Sequence, residues 1–189
     1  MKIAIFGGTF DPIHGAHLAI AREALQQFAL DRILFVPAGN PPHKAAGTPY
    51  EHRFRMVELA CASEPRFEAS RLEEGNHKSY SILTIEKLRP TLNPDDELFF
   101  LIGADAFDEL PSWHRWQDVA RLVEFLVVTR PGHEIRPIPE ARVRRLESVA
   151  LPASSSEIRA ELARGEAPPD LPREVLRYIR EQDLYRTAQ

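Results

Sequence analysis

Two histidines three residues apart, His14 and His17, stand where a helix is expected to begin, just beyond a double glycine, Gly7-Gly8. Glycines let backbone approach a ligand closely. A helix N-terminus offers unpaired N–H groups and the positive end of a dipole. Imidazoles ordinarily titrate near neutral pH and can donate to phosphoryl oxygens as charge develops. Together with Thr9 and Phe10 in the same turn, these residues predict chemistry on a phosphate. A plainer use exists, in which Asp11 caps the helix and both histidines only face solvent. The strand, glycine turn and helix start around them weigh against it. Neither Gly-x-Gly-x-x-Gly nor Gly-Lys-Ser/Thr follows the first strand, so the usual dinucleotide and P-loop fingerprints are absent. Zinc would need a third ligand beside the two imidazoles, and no neighbouring Glu or Cys supplies one.

A second polar segment lies far along the chain: Ser154-Ser155-Ser156-Glu157-Ile158-Arg159. Ser154 and Glu157 form a capping box, which alone would account for them. Three hydroxyls and an arginine one turn into a helix also make a clamp for polyphosphate. Asn40 and Lys44 flank a proline-rich stretch that by itself reads as a connector with a solvated lysine. Trp113, between Ser112 and His114, sits at no obvious helical core position, although burial is the commoner fate of tryptophan.

Alternating elements must hold these groups. Strands are expected at Lys2–Phe6, Arg32–Val36, Phe67–Arg71, Leu98–Ile102, Phe125–Thr129 and Ser148–Leu151. Several are short, continuous and β-branched, as parallel strands buried on both faces require. Helical spacing marks His17–Ala29, Tyr50–Ala62, Ser79–Leu88 and Trp116–Leu122. Ser154–Arg164 and Pro172–Asp183 follow as two C-terminal helices. This alternation predicts an α/β fold with a Rossmann-like, doubly wound parallel sheet and C-terminal helices. Ligands in such sheets bind beyond the carboxyl ends of the strands, where strand order reverses. Loops opening GGTFDP, PAGNPPHK, GAD and RPG would then share one edge.

The 189 residues are most simply one domain, with a C-terminal helical part at about 154–186. Twenty-four basic against 28 acidic residues, a net charge of −4, argue against a protein built to grip nucleic-acid backbone. Cys61 is the lone cysteine, so no intramolecular disulfide can form. No apolar run is long enough to cross a bilayer, and strand residues beginning at Lys2 leave no room for a leader. Cytoplasmic residence is the resulting expectation.

The run Gly7 to His17 resembles the signature of the nucleotidyltransferases with paired histidines, and within them the bacterial nicotinate-nucleotide adenylyltransferases. Ala16 stands where that family usually has glycine, adding a methyl. Ala153–Arg159 is similar to its Ile-Ser-Ser-Thr-x-Ile-Arg motif, and Ser79–Thr84 to Ser-Tyr-Thr-x-Asp-Thr. Leu83 departs from the latter, so any hydrogen bond from that carboxylate must be absent or supplied elsewhere. The resemblance implies that His14, His17, Lys44 and Arg159 are catalytic. ATP would be held by Gly7, Gly8, Thr9, Phe10, both histidines, Gly103, Asp105, Ser154, Ser155, Ser156 and Arg159. The nicotinate nucleotide would meet Asn40, Lys44, Ser81, Thr84, Trp113 and Arg130.

The implied reaction is attack by the acceptor phosphate of nicotinate mononucleotide on the α-phosphorus of ATP, giving deamido-NAD and pyrophosphate. Magnesium is expected on the ATP phosphates, held by substrate oxygens and water, with no protein cage. Neither a membrane nor a nucleic acid is an expected partner. Alternatives are transfer to nicotinamide mononucleotide or phosphopantetheine, or a non-catalytic nucleotide sensor on the same fold.

Overall fold

Short apolar strands that lack a polar face must be covered on both sides, and here four of them form the centre of one six-stranded sheet. The computed structural model describes residues 1–41, 47–149 and 154–186. Strands β1 (Lys2–Gly8), β2 (Arg32–Pro37), β3 (Phe67–Ala69), β4 (Glu97–Gly103), β5 (Glu124–Thr129) and β6 (Val143–Glu147) lie in the order β3-β2-β1-β4-β5-β6. All five neighbouring pairs are parallel. The order reverses between β1 and β4, so the crevice of a doubly wound sheet opens beyond Gly8 and Gly103.

Alternation along each strand divides the core in two. Ala4, Phe6, Ile33, Phe35, Leu101 and Val128 face helices α1 (Gly15–Gln27), α2 (Tyr50–Cys61), α6 (Ser155–Ala163) and α7 (Arg173–Glu181). Ile3, Ile5, Leu34, Val36, Phe100 and Val127 face α3 (Ser81–Leu88), α4 (Ala104–Asp108) and α5 (Trp116–Leu122). Burial of each of the Val, Leu, Ile and Phe side chains contributes roughly 1.5–3 kcal/mol. Cys61 is buried in the first layer, and burial pushes its thiol up to about 12, which leaves it unreactive.

Three boundaries differ from expectation. The sixth strand runs over Val143–Glu147, not Ser148–Leu151, of which Ala150 and Leu151 lie outside the described residues. It is an edge strand whose Leu146 alone is buried, while Arg144 pairs with Glu124 at 2.9 Å, so its sequence carries little apolar signal. The third strand stops at Ala69. GAD does not open a plain loop: Gly103 ends β4 and Ala104 begins the five-residue α4, too short to show a period.

Close backbone approach fixes the exit of β2. A Cβ on Gly39 would lie 2.0 Å from the Glu73 carbonyl oxygen and 2.8 Å from that of Gly75. Neither backbone can yield cheaply. Gly39→Ala is therefore expected to cost about 1–3 kcal/mol by overpacking, read as a lower urea midpoint at unchanged m-value.

Candidate active site

The paired histidines stand on α1 as their spacing demands, His14 at the N-cap and His17 in the first turn. The Gly15 N–H, one of the helix's orphan donors, is taken at 2.6 Å by the Asp170 carbonyl from the segment before α7. The two imidazoles lie 3.9 Å apart, centroid to centroid. The His14 main-chain N–H donates to His17 Nδ1 at 3.2 Å, which assigns the remaining proton of a neutral His17 ring to Nε2. His17 also meets the Phe10 ring edge-on at 5.1 Å. Its Nε2–H is thus the donor left to offer to the cavity it lines.

Both rings are neutral, contrary to the expectation of titration near working pH. Burial lowers His14 from 6.5 to about 4, against a weaker upward pull from Asp170. His17 is held well below its ordinary value, by burial first and by the neighbouring His14 second. His14 is 4% exposed, and its Nδ1 has no hydrogen-bond partner among the described residues. A buried polar atom left unmatched costs about 1–3 kcal/mol.

The helix start at α6 closes on this loop from the far end of the chain. Arg159 donates to the Asp11 carbonyl at 2.7 Å and to Ser156 Oγ at 3.2 Å. Ser155 Oγ donates to the Pro12 carbonyl at 3.0 Å. Ser154 serves its capping role: its Oγ accepts from the Glu157 N–H and donates to the Glu157 carboxylate. A cavity of about 460 Å³ results, lined by Thr9, Phe10, His17, Ser155 and Arg159. Gly7, Gly8, His14, Ser154 and Ser156 stand outside its lining.

Asp11, Gly47, Thr48 and Tyr185 line the same cavity and were not expected there. Asp11 is 6% exposed and does not cap α1. Its Oδ2 accepts from the N–H groups of Gly47 and Thr48 at 3.2 and 3.4 Å, and its Oδ1 from the Tyr185 phenol at 2.6 Å. Burial opposes its ionisation, yet Thr48, Tyr185 and the Arg159 charge hold the carboxyl below its ordinary value. Arg53, 1% exposed, ties the two loops behind it by donating to the carbonyls of Thr9 (2.7 Å) and Thr48 (2.9 Å). The Asp11–Tyr185 partnership spans nearly the whole chain, so no local pattern could announce it.

A second cavity of about 560 Å³ lies across β4, lined by Ser79, Tyr80, Ser81, Trp113 and His114 among others. Trp113 is half-buried edge-on against Phe100 at 5.8 Å, and the Tyr80 ring lies tilted against His114 at 4.6 Å. Trp116 packs partly buried on the core. Thr84 stands behind this cavity and outside its lining, 2% exposed, with its hydroxyl donating to Glu73 Oε1 at 2.6 Å. A carboxylate therefore does serve this helix start despite Leu83, and it comes from the preceding loop. Asn40 joins the same loop through Ser79 and Asn76.

Gly103, Asp105 and Arg130 line a third cavity of about 590 Å³, at the ends of β4 and β5. Arg130, expected on the acceptor side, thus shares a wall with the two residues expected near adenosine. Lys44 lies outside the described residues. Among the described residues no group of three His, Cys, Asp or Glu side chains could hold a metal ion.

A family profile described as cytidylyltransferase-like matches residues 5–161. The chain is 61% identical over 187 residues to a "probable nicotinate-nucleotide adenylyltransferase" of Solibacter usitatus, covering 98% of this chain and 100% of that protein. It is 42% identical over 193 residues to a protein of the same description from Clavibacter michiganensis subsp. michiganensis, covering 100% and 96%. The structure of Plasmodium falciparum nicotinic acid mononucleotide adenylyltransferase complexed with NaAD aligns at a TM-score of 0.79 over 97% of both chains. At 20% identity that likeness carries the fold.

Neutral imidazoles leave a measurable trace. Because the fold keeps His14 uncharged, the unfolded chain binds the extra proton first, and stability falls as pH drops from 6.5 toward about 4. Imidazole resonances followed by NMR should show His14 titrating near pH 4 and His17 well below 6.5. An ordinary titration of either ring near 6.5 contradicts the neutral-donor arrangement.

Proposed function

The chain belongs to the cytidylyltransferase-like family and, within it, to the nicotinate-nucleotide adenylyltransferases, and from that premise we propose how its residues carry adenylyl transfer. The reaction joins ATP to nicotinate mononucleotide, giving deamido-NAD and pyrophosphate. A phosphate oxygen of the acceptor attacks the α-phosphorus, and the bond to the bridging oxygen of the leaving pyrophosphate breaks. No protein nucleophile is needed, so positioning and charge stabilisation carry the rate.

The observation that supports this best is the cavity in which His17 of α1 and Arg159 of α6 share one wall. The His17 Nε2–H is a neutral donor aimed by its own backbone bond, so it meets developing phosphoryl charge without first losing or gaining a proton. His14 offers its unmatched Nδ1 one ring behind. Arg159 and Ser155 supply charge and a hydroxyl for the β- and γ-phosphates, with Thr9 and Phe10 forming the floor. Ser154 shapes this wall by capping α6.

The third cavity, with Gly103, Asp105 and Arg130, is the proposed adenosine side. The acceptor's pyridine ring lies in the Trp113 cavity, against Trp113 and the start of α3 at Ser81. Thr84 acts there from behind, holding α3 to Glu73. Asn40 braces the loop between the two substrates, and Lys44 is proposed to bring positive charge to it.

Magnesium is proposed to enter on ATP oxygens, where it neutralises polyphosphate charge. The donor set fits that role: Asp11, the carboxylate in the phosphate cavity, already receives three donors and is poorly placed to become a protein ligand. No helix among the described residues is long and apolar enough to cross a membrane, and cytoplasmic residence is proposed on that basis. The whole chain is proposed to act as one domain.

Purified protein with ATP and magnesium should release pyrophosphate with nicotinate mononucleotide, and less with nicotinamide mononucleotide or phosphopantetheine. No release with the first overturns the proposal. His17→Ala should lower kcat by about 10²–10³, the usual worth of one preorganised donor, while its thermal midpoint stays close to that of the parent. Trp113→Ala should raise KM for the nicotinate nucleotide roughly tenfold, the loss of a stacking platform, and leave KM for ATP unchanged. Equal shifts in both KM values would remove Trp113 from the acceptor site.

A further inference from the structure

Asp11 raises a question that the transfer reaction leaves open. A carboxylate buried this deeply survives only if donors surround it. Two of its three hydrogen bonds come from the backbone of Gly47 and Thr48 at 3.2 and 3.4 Å. The third is the shortest, at 2.6 Å, and comes from a side chain 174 positions away. That side chain, Tyr185, itself lines the phosphate cavity.

We propose that Tyr185 is a positioning residue for the triphosphate of ATP, acting through Asp11 on the cavity wall that His17 and Arg159 share. The inference rests on the adenylyltransferase reading and extends it to the far end of the chain. One residue links the two groups: the Asp11 carboxylate takes the phenol, and its carbonyl takes the Arg159 guanidinium at 2.7 Å. Any shift of Asp11 therefore moves the planar fork that faces the phosphates.

The tail is built to deliver this phenol. Tyr178 on α7 meets His52 on α2 at 2.8 Å, and Val175 and Ile179 bury α7 in the core. Beyond α7, Leu184 packs on the same core cluster. Asp183 and Tyr185 on either side of it have φ of 56° and 63°, a left-handed backbone that non-glycine residues hold only where their surroundings enforce it. Leu184 anchors the turn, and the strained residue after it points the ring at Asp11. Burial and the Asp11 charge both push the phenol's pKa up, which keeps its proton available to donate.

Tyr185→Phe keeps the ring and removes the donor. Loss of a hydrogen bond to a charged group should weaken ATP binding about tenfold, read by calorimetry without acceptor and as the same rise in KM for ATP. KM for the nicotinate nucleotide should stay within about twofold, and kcat should change less than KM for ATP. In an Asp11→Asn background the second change should add little, because both act on one bond. Unchanged ATP affinity, an equal rise in both KM values, or a lowered thermal midpoint alone overturns the proposal. Should Tyr185→Phe fail to fold, hydrogen exchange of the parent decides: ATP should slow exchange at residues 182–186, and no slowing counts against it. A parent that binds ATP without turnover would overturn the reaction assignment while the calorimetry still judges Tyr185.

Discussion

Asp11 is the point at which four separate stretches of chain meet. Its carbonyl receives Arg159 from α6, and its carboxylate receives the loop before α2 and the tail beyond α7. Ser155 holds the next carbonyl, that of Pro12. Removing the carboxylate would strand three donors at once, and leaving it without them would bury a bare charge. The cavity that His17 and Arg159 line, the proposed phosphate site, is the space this arrangement keeps open. The sheet alone could not hold it, since none of these segments pairs with a strand.

Burial then decides what kind of chemistry the site can do. In an exposed loop the two imidazoles would be partly charged near neutrality and would attract phosphate as cations. Packed against Phe10 and each other, they are neutral, and positive charge is left to Arg159. That division suits a reaction in which charge shifts between oxygens of bound phosphates. A fixed cation holds the charge already present, while oriented N–H groups answer what develops, without solvent reorganisation.

How much of this was legible depended on the distance over which each interaction runs. The first loop could be read because strand, glycines and histidines are contiguous. Alternating strands and helices gave the doubly wound sheet, because parallel strands buried on both faces leave uninterrupted apolar runs. Where a strand had only one neighbour and only one buried residue, as in β6, the signal vanished and the boundary was misplaced. The five residues of α4 span little more than one turn, which cannot establish a period. Tyr185, Thr48 and Arg53 were invisible for a different reason. Each acts through a bond to a distant carbonyl or carboxylate, and nothing in a tyrosine or arginine's local neighbourhood reports such a partner. Position 83 shows the same limit: the sequence shows that a carboxylate is missing there, and only the fold brings Glu73 to Thr84 from the loop ahead.

The two halves of the site are held by different physics. On the phosphate side, hydrogen bonds run between loops and fix carbonyls, so geometry there tolerates little change in any donor. On the proposed acceptor side, Trp113 and the tilted pair Tyr80 and His114 offer aromatic surfaces, with one half-buried carboxylate, Glu73, pinning the helix start behind them. Aromatic walls select for a ring and are tolerant of what it carries. In the proposed function, discrimination among pyridine nucleotides falls to the polar groups Lys78, Ser79 and Ser81, which line the same cavity. The loop between β3 and α3 carries Lys78 and Ser79 and also braces Asn40. In the proposed function it couples acceptor choice to the proposed meeting point of the two substrates, so that drift in that loop would retune the acceptor while Asp11 and the histidines stay in place.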